Sequence, residues 1–227
     1  MTVVTSEEQE VERRARLSLG ASNSAIYTMV ARVLADLHVT GDVLLDVGCG
    51  SGLLRSFVRD RCVRYIGIDV VRYEEFPADA EFEYSDLNTG RVQLPDNSAD
   101  IVVSVETIEH LENPRAFMRE LARLAKSGGW VVITTPNQLS LLSLLTLIVK
   151  RRFSAFQDIH YPAHLTALLE VDLMRIAGEC GLGYLKVSHS HQGRIVLTPW
   201  NYPEFLARLL PRAFSDNLVL VGRKSSE

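Results

Sequence analysis

Residues 43–52 read Val-Leu-Leu-Asp-Val-Gly-Cys-Gly-Ser-Gly, and no other stretch restricts the fold of this chain as tightly. The apolar start describes a strand buried on both faces, which needs helices packed above and below a parallel sheet. The glycines at 48, 50 and 52 then let backbone approach a ligand with no Cβ in the way. A strand that runs into such a turn belongs at the head of an α/β sheet, where ligands collect at the carboxyl ends of the strands. A dinucleotide fingerprint would continue as G-x-G-x-x-G, but Leu53 occupies its sixth position and Asp46 stands two residues before the first glycine. Both features weaken a nicotinamide-dependent oxidoreductase reading.

The rest of the chain supplies the partners such a strand requires. Apolar residues at 26, 29, 30, 33, 34 and 37 recur at helical spacing after the cap candidates Ser22, Asn23 and Ser24, predicting a helix over 24–37. A second helix, over about 52–60, follows the glycine turn. Strands are expected at 65–70, 80–84, 100–105 and 130–135, with a helix over 114–125 before the Gly128-Gly129 turn. A helix near 170–180 stops at Gly181, and strands at 184–189 and 217–223 complete the sheet. Strands alternating with helices, without an internal repeat, predict one α/β domain over 1–227, and 47% apolar composition is ample for its core. Residues 138–163 and 193–214 are left over as lid-like inserts.

Charge and cysteine usage narrow the class further. With 24 basic and 28 acidic residues the net charge is −4, which gives no general attraction to a nucleic-acid backbone. Cys49, Cys62 and Cys180 are odd in number and lack C-x-x-C spacing, so neither a disulfide frame nor a zinc knuckle is expected. The charged N-terminus does not read as a signal peptide, and the longest lipid-like run, Leu139 to Val149, is far shorter than the ~20 residues a bilayer crossing needs. A cytoplasmic protein, with peripheral membrane contact through 139–153 as an option, is the expectation.

The 43–52 stretch resembles motif I of the class I S-adenosylmethionine (SAM)-dependent methyltransferases, written apolar-apolar-Asp-apolar-Gly-x-Gly-x-Gly. The likeness runs in order to about residue 137 and more loosely to the C-terminus. It implies a Rossmann-like, seven-stranded, mostly parallel sheet flanked by helices on both faces, with the last strand antiparallel. It also implies SAM as cofactor, with Gly48, Cys49, Gly50, Val70 and Val105 against it. Asp69 lies 21 positions after Gly48, the spacing of an acid that accepts from both ribose hydroxyls. Asp86 and Leu87 resemble the residues that meet the adenine amine and cover the ring. Asp46 either holds the glycine loop or helps neutralise the methionine ammonium, since SAM is cationic at two centres. Cys49 reads as a small side chain that fits the turn rather than as a nucleophile.

The densest chemical cluster is Val105-Glu-Thr-Ile-Glu-His-Leu111, directly after the fourth strand. Methyl transfer from sulfur asks the enzyme for alignment and, with a hydroxyl acceptor, for removal of its proton. His110 is the candidate base, with Glu106 beside it. The Glu-x-x-Glu-His arrangement resembles that of ubiquinone-type O-methyltransferases and small-RNA 2′-O-methyltransferases, where it implies divalent-metal ligation with a later histidine. By that resemblance Glu106, Glu109, His110 and His160 or His164 become candidates for Mg²⁺ or Mn²⁺. In other relatives of the same pattern, Glu106 lines the cofactor and His110 caps a helix.

Leu139 to Val149 is apolar except for Ser140, Ser143 and Thr146, which form one narrow polar stripe on a helix ahead of Lys150-Arg151-Arg152. Such a helix fits a membrane interface, a lid over the active site, or a dimer contact. Trp200, Tyr202 and Phe205 of the second insert are expected to complete an apolar acceptor pocket. The sequence therefore points to methylation of a small-molecule, lipid, quinone-like or glycan-linked hydroxyl, with small-RNA methylation as the rival.

Overall fold

The computed structural model describes residues 6–18, 20–89 and 91–226. Its strands are β1 (Gly41–Val47), β2 (Cys62–Asp69), β3 (Glu81–Tyr84), β4 (Ala99–Ser104), β5 (Ala125–Pro136), β6 (Leu182–His189) and β7 (Asn217–Lys224). They form one sheet in the order β3-β2-β1-β4-β5-β7-β6, with β7 antiparallel to both neighbours and the other pairings parallel. The order reverses between β1 and β4, and an open α/β sheet places its ligand crevice at such a switch point. This is the expected Rossmann-like sheet with its last strand antiparallel.

The helices are α1 (Ser6–Leu17), α2 (Ser24–Asp36), α3 (Leu54–Val58), α4 (Pro114–Leu124), α5 (Leu141–Lys150), α6 (Glu170–Glu179) and α7 (Glu204–Leu209). Two apolar layers sandwich the sheet, and the period-two alternation of the strands decides which residue enters which. Leu45, Val47, Ile66 and Ile68 pack with Phe117 and Leu121 of α4 and Leu173 and Ile176 of α6. The intervening Leu44, Tyr65, Ile101 and Val103 pack with Val30 and Leu34 of α2 and Leu54 and Val58 of α3. Phe117 is fully enclosed. Local chemistry sets the helix starts: Asn23 accepts from Ala25 N–H and Asn113 from Ala116 N–H, with Pro114 on the first turn.

Several expected boundaries shift, for local reasons. The helix after the glycine turn shrinks from 52–60 to Leu54–Val58, because the turn runs on to Leu53. β5 begins at Ala125 rather than 130, since a register shift against β4 lets the chain bulge through the Gly128-Gly129 pair and continue as strand. Gly128 supplies the positive φ of +74° that this bulge needs. α1 and α7 fall where no helix was expected. α1 is short of apolar residues, and α7 is a six-residue helix inside the second insert.

The polar stripe of α5 faces inward: Ser140 and Ser143 are buried, Ser140 Oγ accepts from Ser143 N–H, and Ser143 Oγ accepts from Ser154 N–H. Leu144, Leu145, Ile148 and Val149 of the same helix face out, whereas Leu141, Leu142 and Leu147 are half-buried. No helix among the described residues is long and apolar enough to cross a membrane.

Candidate cofactor and acceptor site

A cavity of about 470 Å³ opens at the carboxyl ends of β1, β2 and β4, roofed on one side by α1 and the start of α2. Asp46, Gly48, Cys49, Gly50, Asp69, Val70, Asp86, Leu87 and Val105 all border it, together with Glu106, Glu109, His110 and His164. Residues spread over 119 positions of sequence, from 46 to 164, therefore meet in one crevice.

The glycine loop is built as the motif requires, although the reason differs in part. Gly48, Gly50 and Gly52 all have positive φ, at +81°, +50° and +74°. A Cβ on Gly48 would strike the Thr107 side chain, and one on Gly50 the carbonyl of Gly20. Close protein packing, and not only a ligand's approach, thus demands glycine here.

Two acids share the work expected of one. Gly50 N–H donates to Asp69 Oδ2 at 2.8 Å and Val71 N–H to Asp69 Oδ1 at 3.2 Å, so Asp69 holds the glycine loop. Burial raises its pKa, partly offset by those backbone donors. Asp46 does not hold the loop. It is fully buried, takes a short hydrogen bond from the Tyr65 hydroxyl, and leaves Oδ1 without a partner. Burial pushes its pKa up to about 7. Asp86 uses one oxygen for a turn, accepting from Asn88 N–H at 2.9 Å, while it and Leu87 border the cavity. Cys49 is buried against Gly67, with its thiol pKa driven up by burial, which makes it packing and not a nucleophile.

At the other end of the cavity, Glu106 adopts a left-handed backbone with φ +48°, unusual for a residue with a side chain. Thr134 and Asn217 hold it there. Thr134 Oγ1 accepts from Glu106 N–H and donates to Glu106 Oε1, both at 3.0 Å, and Asn217 Nδ2 donates to Oε2 at 2.8 Å. Burial pushes the Glu106 pKa up to about 7. Glu109 is more enclosed: Thr135 Oγ1 donates to its Oε2 at 3.1 Å, while Oε1 has no partner. Burial, followed by the charge of Glu106, raises its pKa well above the usual carboxylate range.

His110 Nδ1 lies 2.9 Å from the carbonyl of Ala163, which fixes Nδ1 as the donor and leaves Nε2 with a lone pair. Its ring meets His164 edge-on, with centroids 4.7 Å apart. Burial lowers the His110 pKa, and burial with the nearby His110 lowers that of His164 to about 4, so both rings are neutral at pH 7.

Three of the candidate metal ligands converge. Donor atoms of Glu109, His110 and His164 lie within 4.8 Å of one another. Glu106 is not one of these three, and its two oxygens accept from Thr134 and Asn217. Nor is His160, whose Nδ1 accepts from Gln157 N–H as a cap. The second insert likewise does not build the pocket wall: Tyr202 packs on Phe214, and Trp200 and Phe205 are exposed away from the cavity lining.

The sequence reading missed α1, which brings Val11, Arg14, Ala15 and Leu17 to the cavity. Tyr73 Oη donates to Ala15 O, and Arg14 donates through both terminal nitrogens to Glu112 Oε1 at 3.1 Å. The only available signal was the charge pattern of 6–17. Tyr65, Thr134 and Asn217 were also missed, because each contacts its acid only through the fold.

A reversed-order α/β sheet with a glycine turn after β1, an acid closing β2 and a carboxylate-histidine cluster after β4 defines the class I methyltransferase architecture. The chain belongs to the methyltransferase-domain family, whose pattern matches residues 22–185. A probable S-adenosylmethionine-dependent methyltransferase of Mycolicibacterium smegmatis is 32% identical over 103 residues, covering 44% of this chain and 40% of that protein. A ubiquinone biosynthesis O-methyltransferase of Pseudomonas entomophila is 26% identical over 165 residues, covering 65% and 71%. The chain spans less than half the length of most of the curated relatives it matches. Among solved structures, a SAM-dependent methyltransferase from Archaeoglobus fulgidus superposes with a TM-score of 0.61 at 19% identity, covering 87% of this chain and 94% of that one, which shows a shared fold.

Proposed function

We propose that this chain methylates a hydroxyl group of a small-molecule, lipid-like or glycan-linked acceptor, with SAM as donor and His110 as the base. The observation that carries this reading is the His110 ring: neutral, half-buried, aimed by Ala163, and bordering with its free Nε2 the cavity that the glycine loop also borders. The ubiquinone O-methyltransferase relatives support oxygen as the acceptor atom.

The residues present fit SAM. The unpartnered Asp46 oxygen and the carboxylates of Asp69 and Glu106 give the cavity an acidic wall suited to a ligand with a sulfonium and an ammonium. Asp69 would accept from the ribose hydroxyls, Asp86 and Leu87 would meet the adenine, and Asp46 would face the ammonium. When bound, SAM supplies an electrophilic methyl group on a positively charged sulfur. His110 Nε2 accepts the acceptor's hydroxyl proton as the new carbon–oxygen bond forms and the sulfur–carbon bond breaks. Glu106, clamped by Thr134 and Asn217, keeps a fixed position in the cavity throughout, and such preorganisation is what alignment requires.

A second reading is favoured by one specific arrangement. Glu109 Oε1 and His164 Nδ1 are buried without partners, within the group whose donor atoms converge with His110. One carboxylate and two imidazoles suit Mn²⁺ better than Mg²⁺, which prefers oxygen ligands. If Nε2 of His110 bound a metal it could not also take the proton, so the two readings exclude each other at that atom.

Labelled SAM incubated with fractionated lipid, glycan, RNA and small-molecule pools tests the acceptor. Label in a hydroxyl-bearing lipid, glycan or small molecule agrees with the proposal; label in RNA or on nitrogen overturns it. Turnover unchanged in excess chelator removes the metal reading, and loss of turnover restored by Mn²⁺ removes His110 as the base.

A further inference from the structure

We infer that the outward faces of the two inserts form a docking surface for an anionic lipid bilayer. α5 is turned inside out relative to an ordinary surface helix. Ser143 is 0% exposed, whereas Ile148 and Val149 are 75% and 79% exposed and Leu144 and Leu145 also face out. In a soluble surface helix the apolar stripe normally faces the core.

The second insert repeats the pattern. Trp200 is 70% exposed, and Leu197, Phe205 and Leu209 are exposed as well, while Ala207 is the buried residue of α7. The two inserts are joined. Leu141 N–H donates to Ala213 O at 2.8 Å, and the Asn137 amide donates to the carbonyls of Arg212 and Ser215.

Charge identifies the occupant. Residues 138–163 and 193–214 hold six basic residues (Lys150, Arg151, Arg152, Arg194, Arg208 and Arg212) and two acidic ones, Asp158 and Glu204. Ion pairs join Arg152 to Asp158, Arg208 to Glu204, Arg194 to Asp216 and Arg212 to Glu170, so the excess positive charge of this face rests on Lys150 and Arg151 at the end of α5, which have no acidic partner among the described residues. The partner surface is therefore anionic. Exposed aliphatic side chains beside basic residues match acyl chains below anionic headgroups, and Trp is a residue favoured at that boundary. A nucleic acid would share the negative charge but gives Ile148, Val149 and Leu197 no counterpart, because single strands are held by aromatic stacking.

The surface adjoins the cavity entrance. Ile159 and Tyr161, in the first insert, are exposed and also border the cavity. A docked molecule would thus present its acceptor site near the lipid plane. That last step rests on the methyltransferase reading, whereas docking itself does not.

The test uses the full chain and flotation with vesicles of phosphatidylcholine alone or with 30% phosphatidylglycerol. The expected result is association with the anionic vesicles that weakens as salt is raised, because exposed basic residues are screened. Ile148→Glu with Val149→Glu, both on an exposed helix face, should weaken partitioning about tenfold or more, and Lys150→Gln with Arg151→Gln comparably. Circular dichroism and SAM titration of each variant should match the parent, which separates failure of docking from failure of the cofactor assignment. A chain that stays with the soluble fraction at low salt on both vesicle types overturns the inference. So does sedimentation showing a dimer that Ile148→Glu and Val149→Glu dissociate without any vesicle association, or RNA binding in its place.

Discussion

Gly50 N–H donates to Asp69 Oδ2 at 2.8 Å, so the acid that closes β2 is also the anchor of the turn that follows β1. Two neighbouring strands thereby fix one loop, and the carboxylate that would face the ribose is oriented by the backbone it supports. The bond is charge-assisted and part-buried, a class whose loss costs about 1.5–3 kcal/mol.

Asp69→Ala is expected to weaken SAM binding by about a hundredfold, since both the loop anchor and the ribose acceptor are lost. Asp69→Asn, which keeps an acceptor oxygen for Gly50, should fall between the two. Calorimetric titration of both variants checks the ranking, and equal affinities for parent and Asp69→Ala would remove this role.

Replacing Gly48 should harm folding as well as binding, because the added Cβ meets Thr107 and φ is +81°. Gly48→Ala is expected to cost about 1–3 kcal/mol in denaturant unfolding. Adding Thr107→Ala should recover part of that loss, the backbone strain remaining. No recovery in the double variant would show that the Thr107 contact is not the obstacle.

The buried Asp46 makes a signed pH prediction. Its folded pKa of about 7 stands above the ordinary carboxylate value of 3.8, so between those values the folded chain holds a proton that the unfolded chain has released. This group's effect on stability is therefore most favourable on the acid side, and declines as pH rises through the window to about 7. A cationic ligand reverses the preference by favouring the carboxylate. SAM affinity is expected to rise between pH 6 and 8, with proton release on binding, visible as heats that depend on buffer ionisation. Glu106, also near 7, contributes in the same direction, so Asp46→Asn should flatten the profile in part. A pH-independent affinity in the parent would contradict the acidic-wall reading.

His110→Ala should leave the SAM dissociation constant within about twofold while lowering kcat by about 10²–10⁴. In the parent, rate should fall on the acid side as His110 takes up a proton, at a pH below 6.5 because burial lowers its pKa. An unchanged rate in His110→Ala ends its assignment as base.

How much of this was readable beforehand follows from which forces act locally. The glycine turn, the β1 run and the acid at 69 were legible because backbone geometry and strand burial write themselves into adjacent residues. Glu106 was marked by its neighbours, but its clamp was not, since Asn217 lies 111 residues away and meets it only through the antiparallel pairing of β7 with β5. The polar stripe of α5 was legible as a stripe but not its direction, because periodicity finds a face without saying which way it points. Ser143 faces in because Ser154 N–H needs its oxygen, a contact between a helix and the loop that follows it. α1 was passed over because it is highly charged, and its place over the cavity depends on Tyr73 and Glu112.

Isothermal titration calorimetry of the purified chain with SAM, its demethylated product and NAD tests the donor assignment most directly. One molecule of SAM per chain should bind with a dissociation constant below about 100 μM, the demethylated product should compete for the same site, and NAD should give no heat. No SAM binding at millimolar concentration, or NAD binding in its place, would contradict the assignment of the β1–β2–β4 cleft.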